Sequence, residues 1–403
     1  MRTLAAVLIA PHLSVSGAVN AAKSLSQALA EHCELDVAVM GHTVQTSFLG
    51  RARLLERESQ NPLKFTEGFL PNKFRTLFYR SDIPDLIRQG AYNLVHIHNP
   101  IPTLEMKRVA EACLKMRLPY VVSTHGIIEV LNRKTAYHLN FLEHTAGRIL
   151  VDRPLNYVLR HANMVFALSP HEYPLLMRMG IPEHKLAVVS NGFDEKYFEP
   201  PDQEQIASVC TKFDLPFEKA QLLENNVLVG FFLGNHTRNK GLHILLDAIL
   251  RIKTPYLLIV GGKKRSEIDY ATYERRSTSL QRIVFTDFLT EEEVSAIYAY
   301  ADIFIFPSLA DTLPLVVLDA MASGLPVLST YVGGIPYQVD ESCGYLVEPG
   351  DLVGLVDTIN QITVDRDQLP LKGEQARLKV RERFLWTKSA AQAFSLYEKI
   401  LEG

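Results

Sequence analysis

The sequence predicts an α/β protein made of two doubly wound parallel-sheet domains. Short apolar runs alternate with amphipathic helical stretches along nearly the whole chain, the pattern of parallel strands joined by crossover helices. The runs are apolar without a break, as in Leu257-Leu258-Ile259-Val260, which suits strands covered on both faces. The length of 403 residues corresponds to two or three domains at roughly 150 residues each. Such a chain buries about three quarters of its unfolded surface and needs no disulfide or metal to fold.

The strand-like runs of the first half are 4–10, 35–39, 94–98, 120–123 and 164–167. Run 4–10 follows Arg2 and has a faint likeness to an export signal. It is short, however, and Pro11 and His12 interrupt it; the following Gly17-Ala18-Val19-Asn20-Ala21-Ala22-Lys23-Ser24-Leu25 reads as an amphipathic helix, not a cleavage region. Further on, Ser169-Pro170-His171-Glu172 reads as a helix start, with Ser as N-cap, Pro in first position and Glu closing a capping box. The runs of the second half are 227–233, 256–260, 283–285, 303–306, 326–329 and 344–347, and Thr290-Glu291-Glu292-Glu293 reads as a second capping box. The acids of both boxes are expected to act as caps. Between the two series, 191–226 holds Asn191-Gly192 and Pro200-Pro201 with little strand signal. The interdomain junction is expected within 191–201.

Composition excludes several classes. Lys plus Arg number 42 and Asp plus Glu 45, a net charge of -3, which gives no overall attraction to nucleic acid. A hydrophobic share of 47% excludes a disordered chain. Cys33, Cys113, Cys210 and Cys343 are far apart and form no CxxC pair, so they read as free thiols of a reducing compartment. No apolar stretch reaches the roughly 20 residues that span a bilayer. The expectation is a soluble cytoplasmic protein.

In open parallel sheets, ligands bind beyond the carboxyl ends of the strands. After the first run come Pro11-His12-Leu13-Ser14-Val15-Ser16-Gly17 and a helix; a glycine there can present backbone N–H groups to phosphate. Run 120–123 leads into Thr124-His125-Gly126, placing His125 at the sheet's functional edge. His96 and His98 share one strand face without a third ligand at metal spacing, so they are expected to be structural or supporting. Phe231-Phe232-Leu233-Gly234 is followed by Asn235-His236-Thr237-Arg238-Asn239-Lys240-Gly241 and a helix. Two cations before a helix start suit a diphosphate, though not with the spacing of a Walker loop.

Residues 303–326 read strand, loop, helix, turn, strand, with Pro314 suited to the first helical position. Asp311 falls in the loop and Asp319 inside the otherwise apolar helix. A carboxylate there is costly unless satisfied, and its side chain points back toward the helix start. Phosphate at the start, Leu313-Pro314-Leu315-Val316, and ribose at Asp319 would suit a nucleotide; the plainer alternative is an acid paired with a nearby Arg. Asp365-Arg366-Asp367 is formally a DxD metal motif, but it follows a helix in a charged, strand-poor region, so no metal is expected. Residues 70–80 interleave basic and aromatic side chains. They read either as a contact with a membrane-linked acceptor or bilayer surface, or as an ordinary helix or loop.

Taken together, Pro307-Ser308, Asp311, Asp319-Ala320-Met321-Ala322, Gly324 and Pro326-Val327 resemble the signature of family 4 retaining glycosyltransferases with the GT-B fold. That signature has two acids separated by seven residues, usually both Glu. Other matches follow in order: Val95-His96-Ile97-His98, Thr124-His125-Gly126, Ser190-Asn191-Gly192-Phe193-Asp194, Gly234 with Lys240-Gly241, Val332-Gly333-Gly334-Ile335-Pro336 and Gly344-Tyr345-Leu346-Val347. The resemblance implies two Rossmann-like domains facing across a cleft. Residues 1–192, joined by a terminal helix at 386–403, would bind the acceptor, and 193–385 the nucleotide-sugar donor.

The resemblance also implies roles. Gly17 would approach the diphosphate, and Gly234, Arg238, Lys240, Leu313, Pro314, Leu315 and Val316 would surround the donor. His125 would contact the transferred sugar, Lys240 neutralise the leaving diphosphate, Asp311 hold sugar hydroxyls and Asp319 bind ribose. No metal or further cofactor is implied. The acceptor would be a sugar, a lipid-linked molecule or a small molecule, in polysaccharide or glycoconjugate synthesis, with peripheral membrane contact as a second expectation. Three departures stand out: both acids are Asp, and Asn235 occupies the place of an arginine that Arg238 would have to replace. The competing readings are a GT-B epimerase or inverting transferase, a sugar-binding protein that closes without reacting, and a non-catalytic subunit.

Overall fold

The computed structural model of the chain describes residues 1–13, 16–63, 76–99, 101–126, 145–193, 195–216, 219–266, 268–276, 278 and 281–403. Ser14, Asp194 and residues 70–75 of the basic-aromatic stretch lie outside them. The chain forms two compact units, one of Met1–Gly192 with Trp386–Gly403, the other of Phe193–Leu385.

The first unit holds β1 (Arg2–Val7), β2 (Glu34–Gly41), β3 (Gln45–Leu49), β4 (Ala52–Gln60), β5 (Arg80–Ser81), β6 (Leu94–His98), β7 (Tyr120–Ser123), β8 (Met164–Ala167) and β9 (Leu186–Val188). Their order is β3-β4-β2-β1-β6-β7-β8-β9, with β5 on β4. The stretch with a likeness to an export signal is thus the central strand, where Ala5 pairs with Val37 on one side and His96 on the other. Successive side chains of a strand point to opposite faces. Leu4 and Ala6 therefore pack with Val95, Ile97, Met106 and Val158. Ala5 and Val7 pack with Leu25 and Leu29 of the helix Gly17–Leu29 and with Ala390, Ala393 and Tyr397 of the helix Trp386–Glu402. Each fully buried Leu or Ile there contributes roughly 1.5–3 kcal/mol.

Four strands of this sheet are absent from the sequence reading: β3, β4, β5 and β9. β3 pairs antiparallel with β4, and β4 with β5, so the first sheet is mostly, not wholly, parallel. β3, β4 and β5 form one margin of the sheet and are largely polar, whereas β9 at the other edge, Leu-Ala-Val, is apolar but only three residues long. β4 reads Ala-Arg-Leu-Leu-Glu-Arg-Glu-Ser-Gln, and Phe48 of β3 is 72% exposed. Strands half open to water lack the unbroken apolar run that marks a central parallel strand.

The second unit is wholly parallel, with β10 (Leu228–Leu233), β11 (Tyr256–Gly261), β12 (Gln281–Asp287), β13 (Ile303–Ile305), β14 (Val327–Thr330) and β15 (Gly344–Val347) in the order β12-β11-β10-β13-β14-β15. The direction of winding reverses between β10 and β13, and in the first unit between β1 and β6. Such reversal points leave a crevice beyond the strand ends where ligands bind.

Thr290 forms the full capping box, accepting from Glu293 N–H at 3.2 Å while Glu293 accepts from Thr290 N–H at 2.9 Å. The Ser169 box forms differently. The Ser169 hydroxyl caps nothing, and Glu172 instead turns inward, as described below. The helix Leu315–Ala322 begins one residue later than expected, with Pro314 as its N-cap; proline's fixed φ, here -66°, is compatible with either position. Among the described residues no helix is long and apolar enough to cross a membrane. All four cysteines are free, and Cys33 is half-buried where the other three are buried.

Candidate active site

In the second unit the chain leaves β10 through Gly234 and forms a short 3-10 turn, Arg238–Lys240. Gly241 follows in the left-handed region, φ +73°, and a Cβ there would lie 1.8 Å from the carbonyl oxygen of Pro307. Glycine is therefore what lets the loop after β10 touch the loop after β13. The contact is tied by Asn239 O, which accepts from Leu309 N–H at 2.7 Å and from the Ser308 hydroxyl at 2.9 Å. On its other side Gly333, φ +53°, brings its Cα against the carbonyl oxygen of Asp311, 1.9 Å from where a Cβ would stand.

These approaches bring two of the expected site residues together. Lys240 Nζ donates to Asp311 Oδ2 at 2.6 Å. Asp311 is 7% exposed, while a quarter of the Lys240 side chain stays open, at 25%. The second oxygen of Asp311 makes no hydrogen bond among the described residues. Arg238 is exposed and forms no ion pair among the described residues. Asn235 is exposed as well.

The helix Leu315–Ala322 starts beside this pair, its N-cap carbonyl at Pro314 held by Gln338 Nε2 at 3.0 Å. Asp319 lies just over one turn in. It lines an open pocket of about 390 Å³ with Leu233, Leu289, Glu291, Val294 and Tyr298. It forms no ion pair among the described residues, so the reading of a helix acid balanced by a nearby Arg does not hold. Burial, and then the charge of Glu291, push its carboxyl up to about 7. The Tyr298 hydroxyl, in the same pocket, donates to Val316 O at 3.2 Å.

In the first unit Gly17 opens its helix, with Ser16 as N-cap accepting from Val19 N–H at 3.4 Å. A Cβ on Gly17 would meet no atom of the described residues within 4 Å. His125 follows β7 with φ +37°, a conformation uncommon for a non-glycine residue. Its Nε2 is 2.9 Å from Nδ1 of His98. His98 and His96 are both fully buried. His96 is held by Ser123 Oγ at 2.7 Å and by the hydroxyl of Tyr397 at 2.6 Å. Burial drives His96 and His98 well below the ordinary histidine range and His125 to about 4, so all three are neutral near pH 7.

Glu172 is the residue the sequence reading undervalued. It is fully buried, accepts from Leu168 N–H at 2.6 Å and from the Thr124 hydroxyl at 3.0 Å, and so fixes the residue before His125. Burial pushes its carboxyl up to about 7. The signal for it was the same Ser-Pro-His-Glu string that suggested a cap; one strand's loop reaching another's cannot be seen in such a string. Asp365-Arg366-Asp367 has a structural explanation: Asp365 ends the helix Leu352–Val364, and Arg366 pairs with Asp302 at 2.6 Å.

Two family models match the chain, that of Glycosyltransferase Family 4 over residues 15–197 and that of Glycosyl transferases group 1 over residues 228–365. N-acetyl-alpha-D-glucosaminyl L-malate synthase of Bacillus anthracis is 24% identical over 329 residues, 80% of this chain and 78% of the relative. D-inositol 3-phosphate glycosyltransferase of Corynebacterium efficiens is 28% identical over 225 residues; the match spans about half of each, 53% of this chain and 51% of the relative. Among solved structures, sucrose-phosphate synthase from Thermosynechococcus elongatus superposes with a TM-score of 0.73 at 20% identity, covering 100% of both chains. Anabaena HepE in complex with UDP superposes with a TM-score of 0.71 at 18% identity, covering 99% of this chain and 100% of that one. These likenesses establish the GT-B fold. With both family models matched in order, the chain belongs to the family 4, group 1 glycosyltransferases, retaining enzymes that transfer a sugar from a nucleotide-sugar donor.

Proposed function

We propose that the second unit binds the nucleotide diphosphate of the donor at the β10/β13 reversal point, and that the first unit holds the acceptor and supplies His125 to the transferred sugar. Breaking a glycosyl-phosphate bond leaves charge on a departing diphosphate and positive character on the sugar. The main catalytic need is to stabilise the first and orient the acceptor hydroxyl. Lys240, Arg238 and the amides at the start of the helix Leu315–Ala322 meet the diphosphate; Asp311 uses its open oxygen for sugar hydroxyls; Asp319 takes the ribose. The leaving charge is met by protein cations and dipoles, without a divalent metal.

The observation that carries this reading is the Lys240–Asp311 pair, set at the reversal point beside a helix start. Among acceptor classes we put a small hydroxyl-bearing molecule ahead of a sugar or a lipid-linked one, because the names of two relatives carry L-malate and inositol 3-phosphate. The test is a panel of UDP-, GDP- and dTDP-sugars screened by thermal shift, since a ligand bound by the native state alone raises stability. One nucleotide should raise the midpoint in wild type and do so much less in Lys240→Met. A panel without any shift, or an equal shift in the variant, would overturn the assignment.

A further inference from the structure

The pocket that Asp319 lines, about 390 Å³ in volume, falls within the size range of small-molecule sites. Its apolar lining comes from Leu233, Leu289 and Val294, and its charged lining from Asp319, Glu291 and Glu199. Among the described residues no Lys, Arg, His, Asn or Gln side chain joins them. Two of its hydroxyls are committed: Tyr298 donates to Val316 O at 3.2 Å and Ser323 to Asp319 O at 2.9 Å. What the side chains leave for a ligand is the Ser295 hydroxyl and three carboxylates, and an ionised carboxylate only accepts.

Glu291 opens the helix Glu291–Tyr300, but the capping of that helix does not use it. Thr290 and Glu293 close the box, and Glu293 also pairs with Lys212. The helix dipole favours any acid in the first turn, yet of Glu291, Glu292 and Glu293 only Glu291 lines the pocket. It forms no hydrogen bond or ion pair among the described residues. Its charge is felt at the carboxyl of Asp319, so the two are neighbours. With the diphosphate at Lys240 and the start of the helix Leu315–Ala322, and the ribose at Asp319, the base is the part of the nucleotide left for Glu291.

The bases differ in what they show a carboxylate. Guanine carries two N–H donors side by side, N1–H and the N2 amino group, and one carboxylate accepts both in parallel. Uracil and thymine carry a single N–H between two carbonyl oxygens, which would stand against the negative charge. Adenine and cytosine set a bare ring nitrogen beside their amino group. We propose that the donor is a guanosine-diphosphate sugar, with Glu291 accepting N1–H and N2–H of guanine and the ring lying against Leu289 and Val294. The same charge rejects the pyrimidines, whose carbonyls would lose water and gain no donor. This inference rests on the reading of the second unit as the donor site and adds the identity of the base.

The experiment is calorimetric titration of the whole chain with GDP, UDP and inosine diphosphate, whose base is guanine without the amino group. Wild type should bind GDP about 10–150-fold more tightly than UDP, the span of a hydrogen bond to a charged group, and about tenfold more tightly than inosine diphosphate. Glu291→Gln offers one acceptor and one donor in place of two acceptors. It should bind GDP more weakly, hold GDP and inosine diphosphate about equally, and narrow the gap to UDP. Glu291 is exposed, so the variant should melt with wild type when no nucleotide is present. A GDP preference that Glu291→Gln leaves intact would overturn the assignment of Glu291. UDP bound more tightly than GDP, and still weakened in Lys240→Met, would overturn the guanine inference and leave the donor site standing. GDP bound equally by wild type and Lys240→Met, or no nucleotide bound by wild type, would overturn the donor-site reading and this inference with it.

Discussion

Lys240 Nζ and Asp311 Oδ2 lie 2.6 Å apart, an ion pair that joins the loop after β10 to the loop after β13. The residue proposed for the leaving diphosphate is thus neutralised by the residue proposed for the sugar, and removing either leaves the other's charge uncompensated in a half-buried site. A charge-assisted hydrogen bond contributes about 1.5–3 kcal/mol, or about 10–150-fold. Lys240→Met is expected to lower kcat/KM by that factor, and Asp311→Asn to lower kcat by a similar one. The double variant should lose less than the product of the two. Steady-state kinetics on the four proteins measures the coupling; strictly multiplicative losses would show that the two residues act independently.

His125→Ala should lower kcat far more than nucleotide affinity, because His125 is proposed to face the transferred sugar and not the base or the ribose. Calorimetric titration with the free nucleoside diphosphate, beside turnover at saturation, separates the two effects. A tenfold loss of nucleotide affinity with normal turnover would reject the placement.

Asp319 carries a pH prediction. Its carboxyl is raised from an ordinary 3.8 to about 7, so the folded state holds a proton that the unfolded state gives up. Wild-type stability from this group is complete below about pH 4 and declines as pH rises through about 7. Asp319→Asn, which cannot ionise, should match wild type near pH 4 and become the more stable protein by pH 8 in urea melts. Ribose hydroxyls donate to the ionised carboxylate, so donor binding should release a proton and tighten as pH approaches 7. Titration near pH 6.5 in buffers of different ionisation enthalpy reads that proton directly. Asp319→Ala should weaken nucleotide binding by about 10–150-fold with a smaller change in kcat, since ribose contacts are alike in ground and transition states.

Excess EDTA should leave turnover unchanged. An activity loss that Mg²⁺ or Mn²⁺ restores would show that the leaving charge is met by metal and not by Lys240, Arg238 and helix amides.

The parallel core of both units was legible because central strands must be apolar on both faces: Leu257–Val260 and the run around Ile303 announce themselves. The edge strands were not, since Arg53, Glu56 and Arg57 in β4 look like a solvated helix until the antiparallel partners are known. The candidate site residues stood out where glycine or proline punctuates a strand end, as at Gly126, Gly241 and Pro314. What could not be read were contacts across sequence distance. No local pattern says that Lys240 reaches Asp311, that His98 reaches His125, or that Glu172 turns in to Thr124 instead of capping its own helix. Each of these depends on which strands are neighbours, and hydrophobic periodicity does not report strand order.

The helix Trp386–Glu402 seals one face of the first unit with Ala390, Ala393 and Tyr397, although Gly192 ends that unit's main stretch almost two hundred residues earlier. The part of the molecule that the ribosome makes first is therefore the part completed last. At about 5–20 residues per second, on the order of 10–40 s pass between the emergence of Gly192 and that of the final helix. Throughout that interval the cluster around Ala5, Val7, Leu25 and Leu29 lacks Ala390, Ala393 and Tyr397, and His96 lacks the Tyr397 hydroxyl. The second unit, whose strands are contiguous in sequence, can fold while the first waits, so the order of folding along this chain runs against the order of its synthesis.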